Sequence, residues 1–270
     1  MKKRMLLYFG SFDPIHNGHI ALAEYALDRD LADEVALVIS PQNPFKADYL
    51  QTPEMMRYEM AELATSESRY PERIKPSVVE FVLEKPSYTI RTLDYLRENN
   101  GDDMEFSIIT GSDIWERFDE WKEYERILNE YKIYVYPRKG EPIDKFADRV
   151  TVLDDAPQHN FSSTSVRRTL QTGGDAQSML CEGVMKYIRQ NNLWSAAAYR
   201  QRLDQMIESD PENAKYYIER GEWHYRHNEW GAALNDFQRA VKIDPECEAK
   251  NYIDLIQEIL AFRYKDIYNP

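Results

Sequence analysis

Met5 to Ile20, reading MLLYFGSFDPIHNGHI, is the stretch that most limits the folds open to this chain. Met5-Leu6-Leu7-Tyr8-Phe9 is a short apolar run, as a buried strand requires, and Gly10-Ser11 breaks it. After the loop Phe12-Asp13-Pro14-Ile15, the segment from Gly18 sets Ile20, Ala23 and Leu27 at helical spacing. Strand, glycine loop and helix in that order suit a nucleotide phosphate. The helix N-terminus offers unpaired N–H groups and partial positive charge, and a glycine lets the backbone approach an anion closely. His16 and His19 stand three apart at the helix entrance, so both imidazoles can face one ligand and donate to phosphoryl oxygens. Zinc binding is the alternative use of such a pair. It needs further ligands, and His159, His224, His227, Cys181 and Cys247 are all distant in sequence.

Further along, strand and helix patterns alternate. Glu34–Ser40 is a second apolar, β-branched run, followed by the Pro-punctuated loop Pro41-Gln42-Asn43-Pro44-Phe45-Lys46. Asn43 and Lys46 are thereby displayed near the C-terminal end of a strand, where open α/β sheets bind ligands. Glu54–Ser68 reads as a helix behind Pro53, with Arg57 directed at the same loop. Val78–Val82 is expected as a third strand, stopped by Lys85-Pro86-Ser87. A helix over Tyr88–Asn99 follows, with Ser87 or Thr89 as its N-cap. Glu105–Thr110 is a fourth strand ending at Gly111-Ser112-Asp113, Lys132–Tyr136 a fifth ending at Pro137-Arg138, and Val150–Leu153 a sixth. Trp115, Phe118 and Trp121 lie at helical spacing, which by itself suits core packing as well as a ligand contact. In Phe161-Ser162-Ser163-Thr164-Ser165-Val166-Arg167 a serine can cap a helix whose free N–H groups face outward, and Arg167 can offer a bidentate fork to a polyphosphate. Alternation of this kind predicts a mostly parallel sheet with helices on both faces.

At these residues a family resemblance becomes plain. Gly10-Ser11-Phe12-Asp13-Pro14-Ile15-His16-Asn17-Gly18-His19 resembles the GSFDPxHxGH signature of the nucleotidylyltransferase superfamily, and Phe161–Arg167 resembles its ISSTxIR signature. Histidine at position 16, where phosphopantetheine adenylyltransferases usually carry threonine, is similar to the nicotinate mononucleotide adenylyltransferases. Ser87-Tyr88-Thr89-Ile90 resembles that group's SYTIxTL element, and Gly111-Ser112-Asp113 followed by Trp121 its GxDxxxxxxxW segment. Phe9, Arg91 and Ser112 depart from the residues common at those places. The resemblance implies a Rossmann-like doubly wound fold and a direct transfer of adenylyl from ATP to a mononucleotide phosphate. It also implies roles for particular residues. His16, His19, Lys46 and Arg167 would act in catalysis, and Gly10, Ser11, Phe12, Gly18, Gly111, Asp113, Ser162, Ser163 and Thr164 would join the histidines and Arg167 in holding ATP. Asn43, Lys46, Tyr88, Thr89, Trp121 and Arg138 would hold the acceptor. Mg2+ is expected with ATP, and no residue is assigned as a metal ligand. Two other readings stay open: an adenylyltransferase for another phosphorylated acceptor, nicotinamide mononucleotide or phosphopantetheine, or a non-catalytic nucleotide-binding scaffold.

The resemblance ends near Trp194, about seven-tenths of the way along. Beyond it Pro211 and Pro245 stand 34 apart, the tetratricopeptide period. Tyr217, Gly221, Ala233, Phe237 and Ala240 fall at that repeat's signature places, while Arg220 and His224 replace its Leu and Tyr. A catalytic domain over residues 1–194 and a small all-α helical-repeat domain over 195–270 are therefore expected. One complete repeat leaves apolar faces uncovered, which suggests a homo-oligomer or a protein partner. The net charge of -13 argues against an extended nucleic-acid surface and leaves room for a local basic pocket. No apolar stretch reaches membrane-spanning length and only two cysteines occur, so a cytoplasmic protein is expected.

Overall fold

The computed structural model describes residues 2–41, 51–138 and 143–267, apart from the side chains of 102 and 259–267. Asn43 and Lys46 lie outside the described residues. Among the described residues six strands form one sheet: β1 (Lys3–Gly10), β2 (Glu34–Ile39), β3 (Ile74–Ser77), β4 (Met104–Gly111), β5 (Lys132–Tyr136) and β6 (Thr151–Val152). Their order is β3-β2-β1-β4-β5-β6 and every pairing is parallel. This is the doubly wound, Rossmann-like order, with its topological switch between β1 and β4. Parallel strands covered on both faces must be apolar along their length, and Leu6, Leu7, Leu37, Val38 and Ile39 are all buried completely.

Among the described residues the helices that accompany the sheet are α1 (Asn17–Asp28), α2 (Glu54–Ser66), α3 (Thr89–Asn100), α4 (Ser112–Trp115), α5 (Tyr124–Glu130), α6 (Ser163–Gln171) and α7 (Glu182–Gln190). One side of the core joins Leu7, Val38 and Ile108 to Leu93 of α3, Trp115 of α4 and Ile127 of α5. Between α4 and α5 the chain leaves the helix through a 3₁₀ turn at Phe118–Glu120. Trp115 and Phe118 are core residues whose rings stack at 4.2 Å, whereas Trp121 is only partly buried, packing on Phe118 with ring centroids 5.2 Å apart.

Two expectations fail here. The third strand is Ile74–Ser77, not Val78–Val82, which folds into a 3₁₀ turn at Val79–Phe81 with Val82 71% exposed. As the edge strand β3 tolerates Pro76, because its open side needs no N–H, so its sequence IKPS carries no apolar signature. The N-cap of α3 is Tyr88, with no side-chain cap bond, and neither Ser87 nor Thr89 fills that role.

By contacts the chain divides into two compact units, one of residues 1–167 and 176–188, the other of 168–175 and 189–270. The second contains α8 (Ala196–Ser209), α9 (Ala214–Arg226), α10 (Trp230–Ile243) and α11 (Ala249–Ile267). Ser195 caps α8 by accepting from the Ala198 N–H. Gly221 of α9 lies under the Phe237 ring of α10, and a Cβ there would stand only 2.7 Å from a ring carbon. Arg220, which stands at the repeat's Leu place, forks onto Asp236 at 2.7 and 2.8 Å and reaches Asp204 at 2.7 Å. His224 pairs with Glu229. Among the described residues no helix is long and apolar enough to cross a membrane.

Candidate active site

The end of β1 separates two cavities. Strand residues alternate between faces, so Tyr8 lines one cavity and Phe9 the other. The larger, of about 890 Å³, is lined by His16, Gly18 and His19 of the first loop and helix, by Tyr136 and Arg138 after β5, and by Ser162 at the entrance of α6. The smaller, of about 250 Å³, is lined by Gly10 and Ser11, by Tyr88 and Thr89 at the start of α3, by Trp121 and by Glu80.

His16 is the N-cap residue of α1 and His19 its third residue. Their rings stack, with centroids 3.6 Å apart and planes 17° from parallel. The backbone N–H of His16 donates to His19 Nδ1 at 3.1 Å, so a neutral His19 carries its proton on Nε2. Both ring nitrogens of His16 are buried without a hydrogen-bond partner among the described residues. Burial, then the positive charge of Arg138, then His159, lowers the His16 pKa to about 3, so its ring is neutral at physiological pH. Two stacked imidazoles of which one stays uncharged avoid mutual repulsion until an anion arrives.

A pH effect follows from the depressed pKa. An exposed imidazole titrates near 6.5, so unfolding takes up a proton between pH 6.5 and about 3. The stability a neutral His16 contributes is complete above pH 6.5 and is lost as the pH falls toward 3. His16→Gln should therefore flatten the fall in stability between pH 6.5 and 4.5, relative to wild type, by about 1.4 kcal/mol per unit. Thermal melts of both proteins over that range are the measurement, and parallel curves would contradict it.

Two far-apart motifs meet at the first loop. Ser163 Oγ donates to the Pro14 carbonyl at 2.9 Å, and Arg167 donates to the Asp13 carbonyl and to Thr164 Oγ1. Ser162 and Ser165 exchange bonds at 2.7 and 3.2 Å as a reciprocal cap, which orients the first turn of α6 toward the larger cavity. Asp113 pairs with Arg138 at 3.1 Å, and Tyr136 accepts from the same guanidinium at 3.1 Å. Arg138, expected with the acceptor group, thus lies in the cavity of the histidines and away from Thr89 and Trp121. The Phe12 side chain is buried, edge-on to Tyr8 and His19, and a Cβ on Gly10 would meet its ring at 3.0 Å. At Phe12 the loop therefore presents backbone to a ligand, and Gly10 is required by close approach.

In the smaller cavity Thr89 opens α3, whose first N–H groups have no intrahelical partner, and the Trp121 Nε1 is buried without a hydrogen-bond partner among the described residues. Arg91, the departure from the common Asp, pairs with Glu84 at 3.0 Å and lies over the Tyr88 ring. Arg57, expected to point at the loop after β2, is buried and bonds the carbonyls of Ser11, Ser40 and Pro41. Two residues of the site carried no clear signal in sequence: Glu80, and His159, which packs on Phe161 in the wall of the larger cavity. Among the described residues no group of three or more His, Cys, Asp or Glu side chains could hold a metal ion.

A doubly wound sheet whose switch point carries two helix N-termini, paired imidazoles and a nearby guanidinium defines an α/β protein that binds nucleotide phosphates. The profile of the cytidylyltransferase-like family matches residues 7–169. A protein of Bacteroides thetaiotaomicron named "Probable nicotinate-nucleotide adenylyltransferase" is 42% identical over 185 residues, 68% of this chain and 90% of that one. One of the same name from Flavobacterium johnsoniae is 38% identical, over 70% of this chain and 97% of that one. The nicotinic acid mononucleotide adenylyltransferase of Plasmodium falciparum complexed with NaAD shares the fold, with a TM-score of 0.60 at 20% identity, over 71% of this chain and 97% of that one. The chain belongs to the nicotinate-nucleotide adenylyltransferase family of cytidylyltransferase-like proteins.

Proposed function

We propose that the chain transfers adenylyl from ATP to nicotinate mononucleotide, giving nicotinate adenine dinucleotide and pyrophosphate for NAD synthesis. The observation that carries this reading is the pair of cavities on either side of the β1 end, one basic and roomy, the other small and aromatic. A dinucleotide product spans such a divide, with the new phosphoanhydride at the strand end.

The chemistry is a single displacement. A phosphate oxygen of the mononucleotide attacks the α-phosphorus of ATP, the new P–O bond forms, and the bond to the bridging oxygen breaks with release of pyrophosphate. The nucleophile and leaving group are adequate already, so the protein's work is alignment and charge neutralisation. His19 donates through Nε2, and His16 from one of its ring nitrogens, to oxygens where negative charge grows. Arg167 and Arg138 neutralise the outer phosphates, the α6 entrance at Ser162, Ser163 and Thr164 supplies N–H donors, and Lys46 supports the incoming phosphate. Magnesium would enter with ATP as part of the substrate and would help neutralise the charge of its phosphates.

Trp121 stacks on the pyridine ring. Because stacking supports ring binding and not transfer, Trp121→Ala should raise KM for the mononucleotide while leaving KM for ATP nearly unchanged. Equal effects on both would assign Trp121 to packing. We assign residues 1–194 to catalysis and 195–270 to a tetratricopeptide-like module that serves association with a second copy or another protein. The test of the whole reading is pyrophosphate release by purified protein with MgATP and nicotinate mononucleotide, faster than with nicotinamide mononucleotide. No release with either acceptor would overturn it.

A further inference from the structure

Among the described residues that line the smaller cavity, Glu80 is the acidic side chain buried in its wall. It is 2% exposed, a burial rare for a carboxylate with no cationic partner among the described residues. The turn Val79–Phe81 carries it inward from the edge of the sheet, and its Oε1 accepts from Thr92 Oγ1 of α3 at 2.9 Å. Its Oε2 is buried with no hydrogen-bond partner of good geometry among the described residues. A buried, unsatisfied oxygen in a ligand cavity costs stability, which marks it for a bond made only when ligand is present.

We propose that Glu80 is the specificity-determining residue of this cavity: its carboxyl donates a hydrogen bond to the ring substituent of the acceptor and selects a carboxylate over a carboxamide. The inference rests on the assignment of the smaller cavity to the pyridine ring. An O–H to carboxylate bond is charge-assisted and about twice as strong as one to a neutral carbonyl. An ionised Glu80 would reverse the preference, repelling a carboxylate and accepting from the N–H of a carboxamide. Burial favours the neutral acid and pushes the Glu80 pKa up, against the hydroxyls of Thr92, Ser40 and Ser87, which favour the anion. Among the described residues the other titratable or charged groups around it are Tyr88, Glu120 and Lys122 of the same wall, and Arg57, which is bonded to the Ser40 carbonyl.

The experiment is kcat/KM for nicotinate and nicotinamide mononucleotides, each with MgATP, from pH 5 to 9, on wild type and Glu80→Gln. Ionisation of the acceptor phosphate and of ATP is common to both acceptors and cancels in the ratio of the two values. The wild-type ratio should fall by at least about tenfold as the pH rises through the ionisation of Glu80. In Glu80→Gln, whose amide still donates but does not titrate, the ratio should favour nicotinate and stay flat. Turnover with a wild-type ratio that does not change with pH overturns the role of Glu80 and leaves the proposed function standing. An equally sloped ratio in Glu80→Gln does the same by assigning the titration to another group. Calorimetric binding of each mononucleotide gives a second readout, and absence of both binding and turnover overturns this inference together with the proposed function.

Discussion

His19→Ala should lower kcat by about a hundredfold or more, the scale on which a preorganised donor to a developing charge is felt. The His19 ring has two separable jobs. Its Nδ1 accepts from the backbone N–H of His16 and so shapes the entrance of α1, while Nε2 is the donor toward the larger cavity. Losing the first costs about 1 kcal/mol, which the sheet can absorb, and losing the second removes an interaction made fully only as the bridging bond breaks. His19→Asn separates the two, because its side-chain oxygen can still accept near the Nδ1 position while nothing reaches as far as Nε2. It should melt like wild type and be almost as slow as the alanine variant. Arg167→Ala should fall on the same scale, with an added rise in KM for ATP, since its guanidinium also ties the Asp13 carbonyl to α6. Unchanged kcat in folded His19→Ala would remove the histidine from the mechanism.

What the sequence made legible was whatever depends on neighbours along the chain. The strand–loop–helix at Met5–Ile20, the parallel strands β2, β4 and β5, and the cap of α6 each follow from a contiguous run or a fixed spacing, and the structure places them within a residue or so of expectation. What stayed hidden depends on partners far away. Ile74–Ser77 pairs with β2 through backbone bonds that its side chains do not advertise, while the more apolar Val78–Val82 was attractive because hydrophobicity alone cannot tell a strand from a turn that drops one carboxyl inward. Trp115, Phe118 and Trp121 share a helical spacing, but the break between α4 and α5 buries two of them in the core and leaves Trp121 between that core and a cavity. Arg220 and His224 looked like flaws in a repeat. Asp204, Asp236 and Glu229, scattered over 33 positions, turn them into a paired polar layer.

Arg57→Ala should be the most damaging single substitution outside the phosphate motifs. Arg57 is 1% exposed in α2, and its fork donates to the carbonyls of Thr52 at 2.9 Å, Ser11 at 2.7 Å, Ser40 at 2.8 Å and Pro41 at 3.3 Å. Those carbonyls belong to the first loop, the end of β2 and the approach to α2, so one side chain fixes the backbone on which both cavities open. Deleting it strands several buried acceptors at about 1–3 kcal/mol each before relaxation, and roughly 3–5 kcal/mol in all is expected. For a unit of this size that lowers the Tm by about 10 °C or more. Arg57→Lys should recover only part of the loss, because a single ammonium cannot span carbonyls that the guanidinium reaches from three nitrogens. Thermal melts with and without MgATP measure it. If the loops open as argued, the alanine variant should also gain less stabilisation from MgATP than wild type does, whereas a Tm within about 3 °C of wild type would mean that the four carbonyls find other donors.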